Sequence, residues 1–302
     1  MRTADAWGED LQLALYTCYE LHYQGFDGVE PAWEWEPELL RLRGMLERRF
    51  LSAIHAEVPG GDEVMAALGP LLEPAPERGV SAYLRDEGEW WQLREFLAHR
   101  SIYHLKEADP HAWVIPRLRG RSKAALVAVE FDEFGGGRAE RMHSRLFADL
   151  LEGVGLDSRY GRYLDTVPAV MLAIVNMMSL FGLHRALRGA LVGHFAAAEI
   201  TTPPSAQRMV HALDRMGADP RCTVFFTEHV EADAVHEQVL RHDVVGDLIA
   251  REPALAADVV LGIQATGALE ARFERHLLDS WRAGRSSLRF VLPPCLRPGV
   301  PS

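Results

Sequence analysis

Residues 225–236 read FFTEHVEADAVH and place His229, Asp233 and His236 at positions i, i+4 and i+7. On an α-helix this spacing brings the three side chains to one face over two turns. Imidazole combined with carboxylate suits iron, manganese or zinc better than calcium or magnesium, and the stretch contains no cysteine of the kind that structural zinc sites use. The stretch therefore predicts a helix that binds a transition metal.

A metal needs more ligands than one helix supplies, so other parts of the chain must contribute. Glu199 ends a small and apolar helical stretch, where a carboxylate is unfavourable unless it is paired or bound to a metal. Glu133 closes an apolar helical run just before three glycines, and we expect His143 about two turns into a new helix that starts at Arg138. Glu107 is a further candidate, near the predicted start of a helix.

The spacing alone leaves one alternative open. Diiron four-helix bundles of the ferritin type use a carboxylate followed three residues later by histidine on two helices. Both Glu140 to His143 and Asp233 to His236 have that spacing, which would make Glu140 a ligand. The other interpretation takes Glu133, from the preceding helix, as the ligand.

Five short stretches carry the carboxylates and histidines of interest: KEADPH (106–111), DEFGGG (132–137), RMHSRLF (141–147), GHFAAAE (193–199) and EHVEADAVHE (228–237). In order and approximate spacing they resemble the iron-containing redox enzymes of the heme-oxygenase-like diiron oxidase and oxygenase superfamily. The resemblance covers about two thirds of the chain, from Trp90 to Arg289. It implies a ligand at Glu133 instead of Glu140, no catalytic residue beyond the ligands, and seven metal ligands in all: Glu107, Glu133, His143, Glu199, His229, Asp233 and His236.

The same resemblance implies a reaction type. Two Fe(II) ions would react with O2 as co-substrate, supported by an electron donor, and oxidise a small metabolite. N-oxygenation of an amine or amino acid is the first expectation. Oxidative cleavage of a carbon–carbon bond in an amino acid or fatty acid is the alternative at the same site.

Helical spacing of apolar residues runs through the chain, and strand-like alternation is missing from the sequence. We therefore predict an all-α protein, and the resemblance specifies a heme-oxygenase-like bundle of about seven core helices. A stretch rich in proline and glycine, residues 57–79, suggests a division into an N-terminal helical extension (1–80), a diiron core (81–290) and an irregular tail (291–302). Turn residues also predict a break between helices at Thr202 to Ser205.

Composition limits the classes of partner. The chain has 43 acidic against 32 basic residues, a formal net charge of −11, which disfavours nucleic acid and anionic membranes. The apolar stretch Val167 to Leu183 is short for a membrane span and carries Asn176, so we expect a buried central helix. We expect a small-molecule substrate, an electron donor and a possible homodimer as partners.

Three widely spaced cysteines and a start of the chain without an apolar leader favour a cytoplasmic location. Substrate-contact candidates outside the ligand set are Tyr103, Trp113, Phe226, Arg185 and Arg188.

Two other functional classes are considered. A heme-binding or cofactor-independent member of the same fold would need one histidine or none and would leave six ligand-type residues unexplained. A non-catalytic iron-binding protein would need the metal site alone.

Overall fold

The computed structural model describes residues 5–73 and 77–293, apart from the side chains of residues 231–235. Within these residues the protein is helical and has no strand, which confirms the predicted fold class. The α-helices are α1 (Glu9–Glu20), α2 (Pro37–Glu57), α3 (Val64–Leu72), α4 (Val80–Asp86), α5 (Trp90–His104), α6 (Asp109–Ala112), α7 (Gly120–Glu133), α8 (His143–Gly153), α9 (Ala169–Leu183), α10 (Arg188–Arg215), α11 (Val224–Gln238), α12 (Asp247–Arg251) and α13 (Ala256–Arg282). A π-helical segment, Val239–Gly246, joins α11 to α12.

Helices α10 and α13 form the closest helix pair at the centre of the bundle. They touch main chain to main chain, because each presents a glycine at the crossing. A Cβ atom on Gly193 would lie 2.0 Å from the carbonyl oxygen of Val259, and one on Gly262 would lie 1.9 Å from that of Ala190. No other residue type fits at either position, so these two glycines set the spacing of the helices.

Helix α9 is the buried apolar helix that the sequence predicts. Asn176, fully buried at its middle, donates hydrogen bonds of 2.8 Å to the carbonyl oxygen and the side-chain Oε1 of Gln12 on α1. By length and composition one described helix, Pro253–Arg282, is long and apolar enough to cross a membrane. Helices α9 and α10 pass the same test only if they are taken together as one bent pair. Half of the apolar window of Pro253–Arg282 is buried against other parts of the protein, which is typical of a core helix.

The N-terminal segment packs onto the rest of the bundle. Helix α1 packs against α9, α3 against α13, and α4 against α10. One cluster of buried apolar side chains extends from Leu11 to Leu288. The proposed division at residue 80 stays a prediction, and residues 294–302 of the predicted tail lie outside the described residues.

Two helix boundaries differ from the sequence-based prediction. The predicted helix from Arg138 begins at His143 instead, because Gly135, Gly136 and Gly137 all take positive φ angles and a short 3-10 turn (Ala139–Arg141) follows them. The predicted break at residues 202–205 is wrong, since α10 continues through Pro203 and Pro204.

Packing on both sides of the prolines holds α10 together. The half before them is in contact with α13 at Gly193. The half after them ends at Arg215, whose guanidinium donates to the carbonyl oxygens of Leu84 and Arg85 on α4. Tertiary contacts therefore outweigh the two missing amide donors.

Candidate metal centre

Six of the seven predicted ligands lie together inside the bundle in two clusters of three. In each cluster the ligand atoms are all within 4.8 Å of one another, and all six residues are buried. The side chain of Asp233 lies outside the described residues, although its position in α11 is between His229 and His236. We call the two groups the first cluster (Glu107, His143, His229) and the second cluster (Glu133, Glu199, His236).

The glycine turn after α7 connects the two clusters. Glu133 is the last residue of α7 and His143 the first of α8, and the turn between them brings His143 Nδ1 within 2.8 Å of Glu133 Oε2. The turn requires glycine, because a Cβ atom on Gly135 would lie 2.6 Å from the amide nitrogen of Met142. His143 of the first cluster is therefore in contact with Glu133 of the second cluster, and the six side chains form one centre.

The first cluster is oriented by contacts on its outer side. Glu107 lies in the turn between α5 and α6, where its Oε2 is 2.9 Å from Nδ1 of His104 and its Oε1 is 3.7 Å from Nε2 of His229. His229 Nδ1 lies 2.7 Å from the carbonyl oxygen of Phe225, to which it donates, so Nε2 is the nitrogen directed at the cluster. Burial raises the pKa of the Glu107 carboxyl, but His104 and His229 outweigh it and hold that pKa well below its usual range.

The second cluster combines two carboxylates with one imidazole. His236 Nδ1 is 3.0 Å from Glu199 Oε2 and 3.8 Å from Glu133 Oε1, and its Nε2 is 3.2 Å from Asp132 Oδ2. Burial lowers the pKa of His236, yet the hydrogen bond and charge of Glu199 and the contact with Asp132 raise it to about 9. Burial is the main cause of the raised pKa of Glu199; the hydrogen bond with His236 lowers that pKa, and the charge of Glu133 raises it. Both shifts follow from buried carboxylates that lie close together around one imidazole.

The donor set fits iron. The ion pairs that Glu133 and Glu199 make among the described residues are all with histidine, and Glu133 Oε1 accepts no hydrogen bond. Three buried carboxylates and three imidazoles form a hard to intermediate donor set with negative charge in excess. A buried group of this kind is stable when cations occupy it.

Glu140 is exposed and belongs to neither cluster, so the structure brings Glu133 and not Glu140 to the centre. Among the substrate-contact candidates, Tyr103 and Phe226 are buried and Trp113 is half-buried.

The two predicted arginines lie elsewhere. Arg185 and Arg188 line a surface pocket of about 400 Å³ together with three further arginines, Arg117, Arg119 and Arg251. Arg188 precedes Glu199 by eleven residues, which is about 16 Å of helix. These arginines therefore do not contact the metal centre.

Sequence reasoning missed three polar residues beside the clusters. His104 lies one turn before Glu107, Asp132 is next to Glu133, and Glu130 lies one turn before Glu133 on the same face of α7. Helical spacing from a predicted ligand is the signal by which His104 and Glu130 could have been found.

Comparison with known proteins supports an iron centre. The sequence model of a family described as "Iron-containing redox enzyme" matches residues 94–271, a range that includes all seven predicted ligands. A curated relative, nitrosourea synthase from Streptomyces achromogenes subsp. streptozoticus, is 29% identical over 233 aligned positions, and the alignment covers 74% of this chain and 50% of the relative. The chain thus spans about half the length of this curated relative.

Proposed function

We propose, from the premise that this chain belongs to the family of iron-containing redox enzymes, that it uses two iron ions and O2 to oxidise the nitrogen of a small amine or amino acid. Family membership makes the protein an iron-containing oxidoreductase, which disfavours the non-catalytic interpretation. The observation that carries the proposal is the pair of adjacent buried clusters, each with three side chains able to bind one metal ion.

The ligands divide between the two ions. The first cluster would hold one iron and the second cluster the other, and Asp233, placed by the sequence on the same helix as His229 and His236, is the seventh proposed ligand. Iron bound there supplies the reduction of O2 and the oxidation of the substrate. The proposed set contains four carboxylates, whose summed negative charge equals in magnitude the positive charge of two Fe(II) ions.

The chain's own residues orient the ligands and exclude water. His104 holds the Glu107 carboxylate from behind, and the Phe225 carbonyl fixes the tautomer of His229. The ring of Phe225 packs 4.4 Å from His229, and Phe147 packs 4.8 Å from His104, measured between ring centroids. This aromatic wall lowers the local dielectric constant and strengthens each electrostatic contact inside the site.

Nitrogen as the atom oxidised is supported by the relative's name. A nitrosourea contains a nitrogen–oxygen bond, so an enzyme that makes one is compatible with oxygen transfer to nitrogen. The relative is about twice as long as the aligned part, and its whole activity is not carried over to this chain. An electron donor, a cytoplasmic location and a homodimer are further parts of the proposal, supported by the sequence alone.

The test is turnover under 18O2. Protein loaded anaerobically with Fe(II) would be mixed with a reductant and panels of amino acids, polyamines and fatty acids, and products would be analysed by mass spectrometry. We expect 18O in a hydroxylamine, nitroso or nitro product. The control is the same protein loaded with Zn(II), which should give no product.

An alkene or aldehyde formed with loss of a carbon fragment would contradict N-oxygenation. It would assign the same site to carbon–carbon cleavage.

A further inference from the structure

Glu130 is a buried carboxylate without a partner. It lies on α7 one turn before Glu133, its residue is only 3% exposed, and neither of its oxygens accepts a hydrogen bond. No ion pair involving Glu130 occurs among the described residues, whereas the buried carboxylates of both clusters have histidine partners. Buried polar groups of native proteins are nearly always hydrogen-bonded, so such a residue requires an explanation.

Among the described residues, the charged groups that act on Glu130 are all acidic. Burial raises its pKa, and the neighbouring charges of Glu133 on α7, Glu199 on α10 and Asp109 on α6 raise it further, to about 9. A buried carboxyl without a donor is destabilising for the folded protein. Stability of the fold is therefore not the reason for a glutamate at this position.

The proposed metal ions do not account for Glu130 either. Two Fe(II) ions carry four positive charges, and the four carboxylates of the proposed ligand set already balance them. An ionised Glu130 would add a fifth negative charge beside this balanced centre, and its raised pKa means that the unpaired carboxyl keeps its proton. A monovalent cation is the ligand that would restore neutrality.

Tyr103 is a buried aromatic residue four positions before Glu107, within electrostatic range of the carboxylates of the centre, including Glu130. Burial, then the charges of Glu107, Glu133 and Glu199, and finally that of Glu130 raise the pKa of the Tyr103 hydroxyl. The ring of Tyr103 is also 6.0 Å from that of His111. Tyr103 thus connects the acidic centre to His111.

His111 is polar, buried and unpartnered as well. Its ring stacks on Phe195 with 4.2 Å between centroids, and neither ring nitrogen has a hydrogen-bond partner. Burial, followed by the charge of His194, holds its pKa well below the usual value, so the imidazole is neutral. A neutral imidazole offers one donor and one acceptor, and aromatic faces such as that of Tyr103 attract cations.

We propose that Glu130 binds a cationic nitrogen group of the substrate, an ammonium or a guanidinium, beside the metal centre, with Tyr103 and His111 on the adjoining wall. This inference rests on the proposed function for the location of the active site and adds the charge of the substrate. It makes Glu130 a substrate-binding residue that is not a metal ligand.

The test is binding to the Fe(II)-loaded protein under anaerobic conditions, measured by calorimetry. L-Lysine and L-arginine serve as cationic probes, and L-norleucine and L-citrulline as matched probes with uncharged side chains. We expect the wild-type protein to bind at least one cation more tightly than its matched probe. Glu130→Gln should weaken that binding at least tenfold and leave iron content unchanged, whereas Glu63→Gln, at an exposed glutamate far along the chain, should change neither.

Three results would overturn the inference. Loss of iron from Glu130→Gln would make Glu130 a metal ligand, and equal cation binding by the variant would remove its role in recognition. Preference of the wild-type protein for the uncharged probes, or no binding of either cation, would also contradict it.

A second variant separates recognition from folding. Glu130→Met removes a buried group that has no partner, so the metal-free variant should unfold at a temperature equal to or above that of the wild type. A large fall in the unfolding temperature would show a structural role and overturn the inference. The binding test uses no oxygen, so its result does not depend on N-oxygenation. If Glu130→Gln loses cation binding but the wild-type protein gives no N-oxygenated product, only the proposed function is refuted. If Glu130→Gln forms the N-oxygenated product as well as the wild type does, only the inference is refuted.

Discussion

Lys106 and Glu107 are adjacent in sequence but enter two different buried polar clusters. Lys106 Nζ lies 2.9 Å from Glu20 Oε2, with both side chains almost fully buried. Tyr160 donates a hydrogen bond of 2.7 Å to the other oxygen of Glu20. Glu107 points the other way, to His229 of the first cluster and to His104 beside it.

The cluster around Lys106 and the metal centre differ in charge balance. The cluster around Lys106 contains one cation, one anion and aromatic rings, with Nζ 4.7 Å from the ring centroid of Tyr16 and 4.3 Å from that of Tyr23. The metal centre contains carboxylates and imidazoles but no lysine or arginine paired with them among the described residues. A cluster that balances its own charge needs no ligand and links α1 to the turn after α5. A cluster with unbalanced charge requires something from outside the chain.

The largest effect is expected from removing a ligand of the metal centre. Glu133→Ala and His229→Ala should abolish iron binding and iron-dependent activity, while helical content stays close to that of the wild type because a site and not the core is changed. Glu140→Ala is the matched control and should retain iron. Iron content by mass spectrometry and helicity by circular dichroism would check this. Equal iron loss in Glu140→Ala and Glu133→Ala would favour the ferritin-type ligand pattern.

Breaking the ion pair between Lys106 and Glu20 should lower the stability of the fold. Lys106→Met leaves the buried Glu20 carboxylate without its cation, which should lower the free energy of unfolding by about 3–5 kcal/mol. Urea unfolding of metal-free protein would measure it. Adding Glu20→Leu should restore much of the loss, because an apolar pair replaces the ion pair. A change below about 1 kcal/mol in Lys106→Met would show that the pair does not hold the fold.

A smaller effect is expected at the outer side of the metal centre. His104→Ala removes the hydrogen bond that orients Glu107, and the affinity for Fe(II) should fall about 10- to 100-fold. His104→Gln, which can still donate to the carboxylate, should recover part of it, and the exposed His211→Ala should have no effect. Competitive metal titration would distinguish the three variants. Unchanged affinity in His104→Ala would mean that Glu107 is held by the main chain alone.

The all-helical fold was predictable because apolar periodicity is local and repeats along the whole chain. The spacing of His229 and His236 was readable for the same reason, since both lie on one helix. Glu107 and Glu133 were only candidates until resemblance selected them, because a single glutamate carries little signal until its neighbours in space are known. The structure brings both to the clusters, while the ligand role of all seven residues stays a prediction.

Other features depended on tertiary contacts that one sequence does not display. Glu130 lies at helical spacing from Glu133, yet its lack of a partner becomes visible only when α6, α7 and α10 are placed. The continuation of α10 through Pro203 follows from packing against α4 and α13, against the local preference. The position of Arg185 in a surface pocket likewise depends on tertiary packing, and its role as a substrate contact stays a prediction.

The glycine contact between α10 and α13 limits how this protein can be engineered. Glu199 follows Gly193 by six residues on the same helix, about 9 Å from a point where two backbones touch. At such a point there is no side chain to shorten, lengthen or rotate, so a designer cannot widen or narrow the gap by repacking. Adapting the centre to another metal or a larger substrate would have to change the residues facing α10, with α10 itself treated as a fixed wall.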